Sequence, residues 1–184
     1  MKSLVRIEAA AVAGGFTAAE FLRMVNAGAF SDLRVELVAG EIVKMMPAYM
    51  AHGEANGRLF AQLLPLYAGT ARLAIDLIVQ LDEHNVRAVD IAVTIPDVAS
   101  DRAVDPADVI LAVEIAETTL GRDLGEKLAA YARSGIPHYW VVDLAPQVIH
   151  VMADPEGETY RQRSVVRFTE LLAVPTTAAS ITLG

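Results

Sequence analysis

The stretch "DVILAVEIA", Asp108 to Ala116, constrains the fold more than any other part of the chain. An apolar run of this length, broken only by Glu114 after its opening Asp108, suits a strand covered on both faces, so it calls for packed layers above and below a sheet. Glu114 sits inside it. Strand alternation puts Ile110, Ala112 and Ala116 on its face, two of them small. An ionised carboxylate buried there costs several kcal/mol unless a cation or hydrogen bonds compensate. Glu114 is therefore either a strand-end acid paired with an arginine or a group kept for chemistry.

The same tension recurs upstream. In "VRAVDIAVTIPDVASD" two aspartates could each begin a metal site. Asp90 lies within an apolar run, and alternation gives it the company of Val86, Ala88, Ala92 and Thr94. Small neighbours leave room above a carboxylate for an ion or a substrate, and two strand acids in one sheet suit a hard cation. Asp97 follows Ile95-Pro96, which reads as a strand exit where aspartate caps a turn. Lys127 is the third element. In the helical stretch "GRDLGEKLAAYARSGIP", Leu124, Leu128 and Tyr131 form the apolar stripe, Lys127 flanks it, and Glu126 is expected to face solvent. Lys127 either snorkels past the core or supplies positive charge to a site.

The remaining elements follow in order. "TAAE", Thr17 to Glu20, reads as a capping box opening a helix. "LRVELVAGEIVKMM" reads as a hairpin turning at Ala39-Gly40, and "HGEANGRLFAQLLPLYAG" as a helix that Pro65 ends or kinks. "RLAIDLIVQL" and "VRAVDIAVTI" are strands, as are "HYWVVDL" and "QVIHVMA" beyond the second long helix. The tail adds an edge strand and an irregular end. The expected architecture is α/β or α+β: one domain over residues 1–184, with a mixed sheet flanked by helices.

Composition narrows the function. The 184 residues carry 23 acids against 15 Lys plus Arg, a net charge of −8 that counts against a polyphosphate substrate unless basic residues cluster. Arg161, Arg163 and Arg167 form a modest cluster. With no cysteine, thiolate metal sites and thiol nucleophiles are excluded, and a reducing cytoplasm fits. The opening "MKSLVRIEAAAVAGG" imitates a leader peptide, but Arg6 and Glu8 interrupt it, and no apolar stretch reaches spanning length. His52, His84, His138 and His150 lack metal-ligand spacing, and Gly53 and Gly57 make no phosphate loop. Asp76 either lines the same cleft or, as the commoner case, faces solvent, and Tyr139-Trp140 reads as core packing.

Strand Asp, strand Glu and nearby Lys are the ingredients of the PD-(D/E)xK nucleases. More specifically, the chain resembles the Uma-two family of restriction-endonuclease-like proteins from about Thr17 to His150. The resemblance is carried by "VELVAGEIVKMMP", the helix start at His52, "VDIAV" and "ILAVEIAETTLGRDLGEKLAAYARSGIPHYWVVD". It implies a restriction-endonuclease-like fold. The family's Pro-Asp element matches Val89-Asp90, which makes "IPDV" at Asp97 a decoy. Glu36 matches the N-terminal glutamate of the family's site, and Glu114 the acid of its (D/E)xK element. The in-line lysine would fall at Ala116, and Lys127 resembles a lysine supplied from the adjacent helix. "AETT" departs from the serine-containing turn more usual there.

The resemblance implies Mg²⁺ or Mn²⁺ held by Asp90, Glu114 and the carbonyl of Ile115, Lys127 and Glu36 as further catalytic residues, DNA as substrate, and a homodimer. Two alternatives stay open: a non-catalytic interaction module on a nuclease-like fold, and a metal-dependent hydrolase of smaller phosphate esters.

Overall fold

A computed structural model of the chain describes residues 15–46 and 49–184. The leader-like opening lies outside them. Helix α1 (Ala18–Asn26) starts from the expected capping box: the Thr17 hydroxyl accepts from the Glu20 N–H, and Glu20 accepts from the Thr17 N–H at 2.9 Å. Strands β1 (Val35–Val38) and β2 (Glu41–Lys44) form the hairpin. Its turn residues Ala39 and Gly40 both have positive φ (49° and 81°), as a tight hairpin requires. In α2 (Met50–Leu66), Leu59 and Leu63 are buried and Pro65 falls in the last turn, where the helix stops.

Strands β3 (Arg72–Asp82), β4 (Asn85–Thr94) and β5 (Val109–Ala116) follow. The second helical segment is broken into α3 (Leu120–Arg122), a π-helical turn (Asp123–Lys127) and α4 (Leu128–Arg133). Strands β6 (His138–Asp143), β7 (Val148–Glu156) and β8 (Thr159–Arg167) complete the main sheet. Beyond β8 the tail is more ordered than an irregular end. Short strands β9 (Leu172–Ala173) and β10 (Ser180–Ile181) pair, and Leu172, Val174, Ile181 and Leu183 join the core on the α2 side. Their apolar side chains anchor a segment that has little periodicity to announce it.

The main sheet runs β2-β1-β4-β5-β6-β7-β8, with β3 also paired to β4. Only the β5–β6 ladder is parallel, so the sheet is mixed. One core lies beneath α4, built on Ala112, Ala116, Leu128, Tyr131 and Tyr139; the other lies beneath α2, built on Leu59, Leu63, Leu111, Val113 and Trp140. Among the described residues no helix is long and apolar enough to cross a membrane.

Strand β4 is where the sheet forks. Strand β3 lines one of its edges nearly end to end. The opposite edge is shared, by β1 at Val86 and by β5 from Ile91 to Thr94. Between those two partners the edge opens.

Alternation also breaks at this point. Leu73 and Ile91 pack on the α2 side, but Leu77, Val79 and Val89 pack on the α4 side although they have the same parity. The phase changes at Asp76, whose φ of 54° interrupts the β3–β4 pairing opposite Asp90. The expected grouping of Asp90 with Val86, Ala88, Ala92 and Thr94 is corrected accordingly: Ala92 lies in the α4-side core, and Val86 packs with Phe21 and Leu37 near α1. Ile110 likewise leaves Glu114's face, because a register shift at Val93/Thr94 turns it toward the α2 side.

Candidate active site at the strand fork

At the opening between β1 and β5, carboxylates accept backbone donors in place of a neighbouring strand. Ala88 N–H donates to Glu36 Oε1 at 3.1 Å, and Ile115 N–H donates to Asp90 Oδ2 at 2.8 Å. The Asn56 amide reaches Asp90's own carbonyl at 3.4 Å. Buried backbone groups must be satisfied, and here acidic side chains do it.

Glu114 projects beneath the π turn. Its Oε2 lies 2.8 Å from Lys127 Nζ, and its Oε1 accepts from the Tyr131 hydroxyl at 2.6 Å. Lys127 Nζ also lies 3.8 Å from Glu36 Oε1. Thus β1 supplies Glu36, β4 Asp90, β5 Glu114 and the π turn Lys127, and all four are buried. The turn's wider backbone points both Asp123 and Lys127 inward, and such turns recur at functional sites. Asp97 stays away, in the loop after β4.

Burial pushes the Glu114 carboxyl up to about 8, with the Asp90 and Asp123 charges adding to the effect and Lys127 opposing it. Burial alone would lower Lys127; the charges of Glu114, Glu36 and Asp123 outweigh that and raise it. Asp90 goes the other way. Burial works to raise it, but hydrogen bonds from His52 and the Ile115 N–H hold it below the usual carboxylate range. The two neighbouring acids are thus shifted in opposite directions, one by burial and the other by the donors it accepts from.

Sequence named His52 through the family resemblance and set it aside as a metal ligand, without giving it a role; its Nε2 lies 3.1 Å from Asp90 Oδ2, and that hydrogen bond raises its pKa against burial. Other participants were not singled out from sequence. Tyr131, read as core, carries the hydroxyl that holds Glu114. Asp123 stands four residues before Lys127, a helical spacing that could have found it. Arg87 gave no signal within its apolar strand. It is buried 3.6 Å from Glu36 Oε2 and pairs with Glu126, so Glu126 does not simply face solvent. An isolated guanidinium in that interior would be too costly, and Glu126 is drawn to it.

The donors suit a hard divalent cation. Asp90 commits Oδ2 to His52 and Ile115, while Oδ1 makes no hydrogen bond among the described residues. In an extended strand the carbonyl of Ile115 points to the same side as its N–H, toward Asp90. Among the described residues no three His, Cys, Asp or Glu side chains form a metal cage. Both Glu114 oxygens already have partners in Lys127 and Tyr131, so a cation here would draw on their remaining lone pairs, on Asp90 Oδ1 and on the Ile115 carbonyl.

The sheet is mixed and split at one strand, and acids and a lysine meet in the split; the fold is restriction-endonuclease-like. The comparisons agree on the fold. A solved structure titled a putative nuclease of DUF820, from Anabaena variabilis, superposes with a TM-score of 0.69 at 16% identity, over 91% of this chain and 95% of its own. The family model Uma2, described as "Putative restriction endonuclease", matches residues 18–184. The chain belongs to the Uma2 family. No curated protein matches it.

Proposed function

We propose that the chain is a divalent-metal-dependent nuclease. The observation that carries this reading is the convergence of Lys127 on Glu114 and Glu36 in a buried fork beside an Asp90 whose Oδ1 makes no hydrogen bond among the described residues. The family's description supports the nuclease class.

Asp90, Glu114 and the carbonyl of Ile115 would hold Mg²⁺ or Mn²⁺. Such an ion, when bound, polarises a scissile phosphate and lowers the pKa of its water. Lys127 positions the attacking water and neutralises charge developing on the phosphate. Glu36 orients Lys127 and carries the Ala88 N–H, while Tyr131 keeps Glu114 aimed at the fork. His52 holds one oxygen of Asp90 and leaves the other to ligate. The substrate is a nucleic acid phosphodiester, DNA by kinship with the family.

Calorimetric titration with Mn²⁺ tests this. Binding is expected in the wild type and in Asp97→Ala, and lost in Asp90→Ala. If wild type binds no Mn²⁺ even with DNA added, the non-catalytic interaction module becomes the better reading. If Mn²⁺ binds but DNA neither binds nor is cut, a smaller phosphate ester is the substrate class.

A further inference from the structure

We infer that Arg87 is a positioning residue for the site: with Glu126 it grips the π turn and balances Glu36, which keeps Lys127 on Glu114. What Lys127 then does rests on the nuclease reading above; the grip itself does not. Arg87 is among the largest fully buried side chains and stands on β4. Its guanidinium meets two acids from different elements. Nη2 donates to Glu126 of the π turn, and Nη1 lies 3.6 Å from Glu36 Oε2 on β1. Glu36 turns its other oxygen to the Ala88 N–H and to Lys127 Nζ, at 3.1 and 3.8 Å. Glu126 and Lys127 are consecutive in the chain. The contacts therefore close a ring, Glu126–Arg87–Glu36–Lys127, whose last link is a peptide bond.

The ring decides how Lys127 is shared. Glu36 lies between two cations, and a planar guanidinium can address two carboxylates at once, where an ammonium is a single point of charge. With Arg87 beside Glu36 Oε2, Lys127 settles 2.8 Å from Glu114 and keeps only the longer contact to Glu36. Remove the guanidinium and Glu36 is a buried carboxylate with Lys127 as its one cation, which draws Nζ away from Glu114. Glu126 controls the other link. Its side chain is half-exposed, whereas Arg87 is fully enclosed, so water can open the grip only there. Arg87 Nε and Nη1 and Glu36 Oε2 have no hydrogen-bond partner among the described residues, so the grip relies on charge and on the Glu126 contact. The exposed pair Arg133–Glu158 also ties down this helical segment but touches neither Glu36 nor Glu114, and it serves as the comparison.

The chain has three lysines, Lys2, Lys44 and Lys127. Lys2→Arg with Lys44→Arg therefore leaves Lys127 alone to report in the NMR spectrum of the full chain labelled with ¹⁵N-lysine, recorded at one fixed pH without metal. Its ammonium protons are expected to exchange slowly, as befits a buried group. Glu126→Gln, a half-exposed change that should fold, and Arg87→Met should each shift the Nζ resonance and speed ammonium exchange about tenfold. The backbone amides of β5 should stay protected in both, and Glu158→Gln should alter neither signal. An unmoved Lys127 resonance in folded Glu126→Gln would overturn the inference. So would a parent ammonium that exchanges like a free lysine, or equal loss of protection at Lys127 and across β5, the mark of general loosening. Mn²⁺ titration of the same protein reads the metal site separately: no binding with the grip intact counts against the nuclease reading and leaves the grip standing.

Discussion

The fork and the β6–β8 half belong to one sheet but satisfy their polar groups in opposite ways. From β6 to β8 the ladders run without a shift in register, and the polar side chains of β8 mostly face solvent. At the fork the ladder opens. Glu36 and Asp90 accept backbone donors, and Lys127 and Arg87 are drawn into the interior to balance the acids. Complete ladders satisfy their own backbone groups, and the buried carboxylate in that half, Asp143 at the end of β6, faces His150 at 3.8 Å and carries no backbone donor. A sheet that splits needs polar side chains at the split, and those side chains are then available for chemistry.

The comparison is most open to being broken at Lys127. Lys127→Met leaves Glu114 buried without its cation and Glu36 with Arg87 alone, an expected loss of roughly 3–5 kcal/mol. Arg161→Ala removes surface pairs on β8 and should leave the urea midpoint where it was. Similar midpoint shifts for the two variants would mean that the fork is no more dependent on its charges than the far edge.

Two tyrosines sharpen the contrast at smaller scale. Tyr131→Phe strips a donor from a buried carboxyl and is expected to cost roughly 1.5–3 kcal/mol. Tyr160→Phe loses only a bond to the carbonyl of Ile136, a neutral pair worth roughly 0.5–1.5 kcal/mol. Reversal of that order in matched denaturation curves would remove the special status given to Glu114.

The smallest effect is one of pH. Burial at the start of β6 lowers the pKa of His138 below its ordinary 6.5. As pH falls through that window, the unfolded chain takes up a proton that the folded chain resists, so folding stability falls. His138→Gln should flatten this part of the stability–pH profile. An unchanged slope would show that the far half holds no strained titration of its own.

Much of the architecture was legible because it rests on short-range rules. The capping box at Thr17, the left-handed pair at Ala39-Gly40 and the alternation in β5 around Ala112 and Ala116 are local, and each stands as expected. Glu114 was visible for a similar reason: a charge within an apolar strand is costly wherever it lies. Lys127 was visible as a flank of its stripe, though not as a cation buried between two acids. The backbone break at Asp76, the pairing of Arg87 and the role of the Tyr131 hydroxyl were hidden, since each depends on a strand or partner brought up by the fold.

By itself the sequence determined the mixed architecture, the kinship with its family and the identities of the acids and the lysine at the fork. The elements follow from periodicity and capping, and Glu114 from its place in an apolar strand, whereas Glu36 entered only through the resemblance to the family. Only the tertiary structure decided that alternation shifts phase at Asp76 and Asp90, that β1 and β5 share one edge of β4, and that a π turn carries Lys127 between Glu36 and Glu114. The reason is physical: hydrogen bonds left open by a split sheet and charges taken out of water must find partners across the fold.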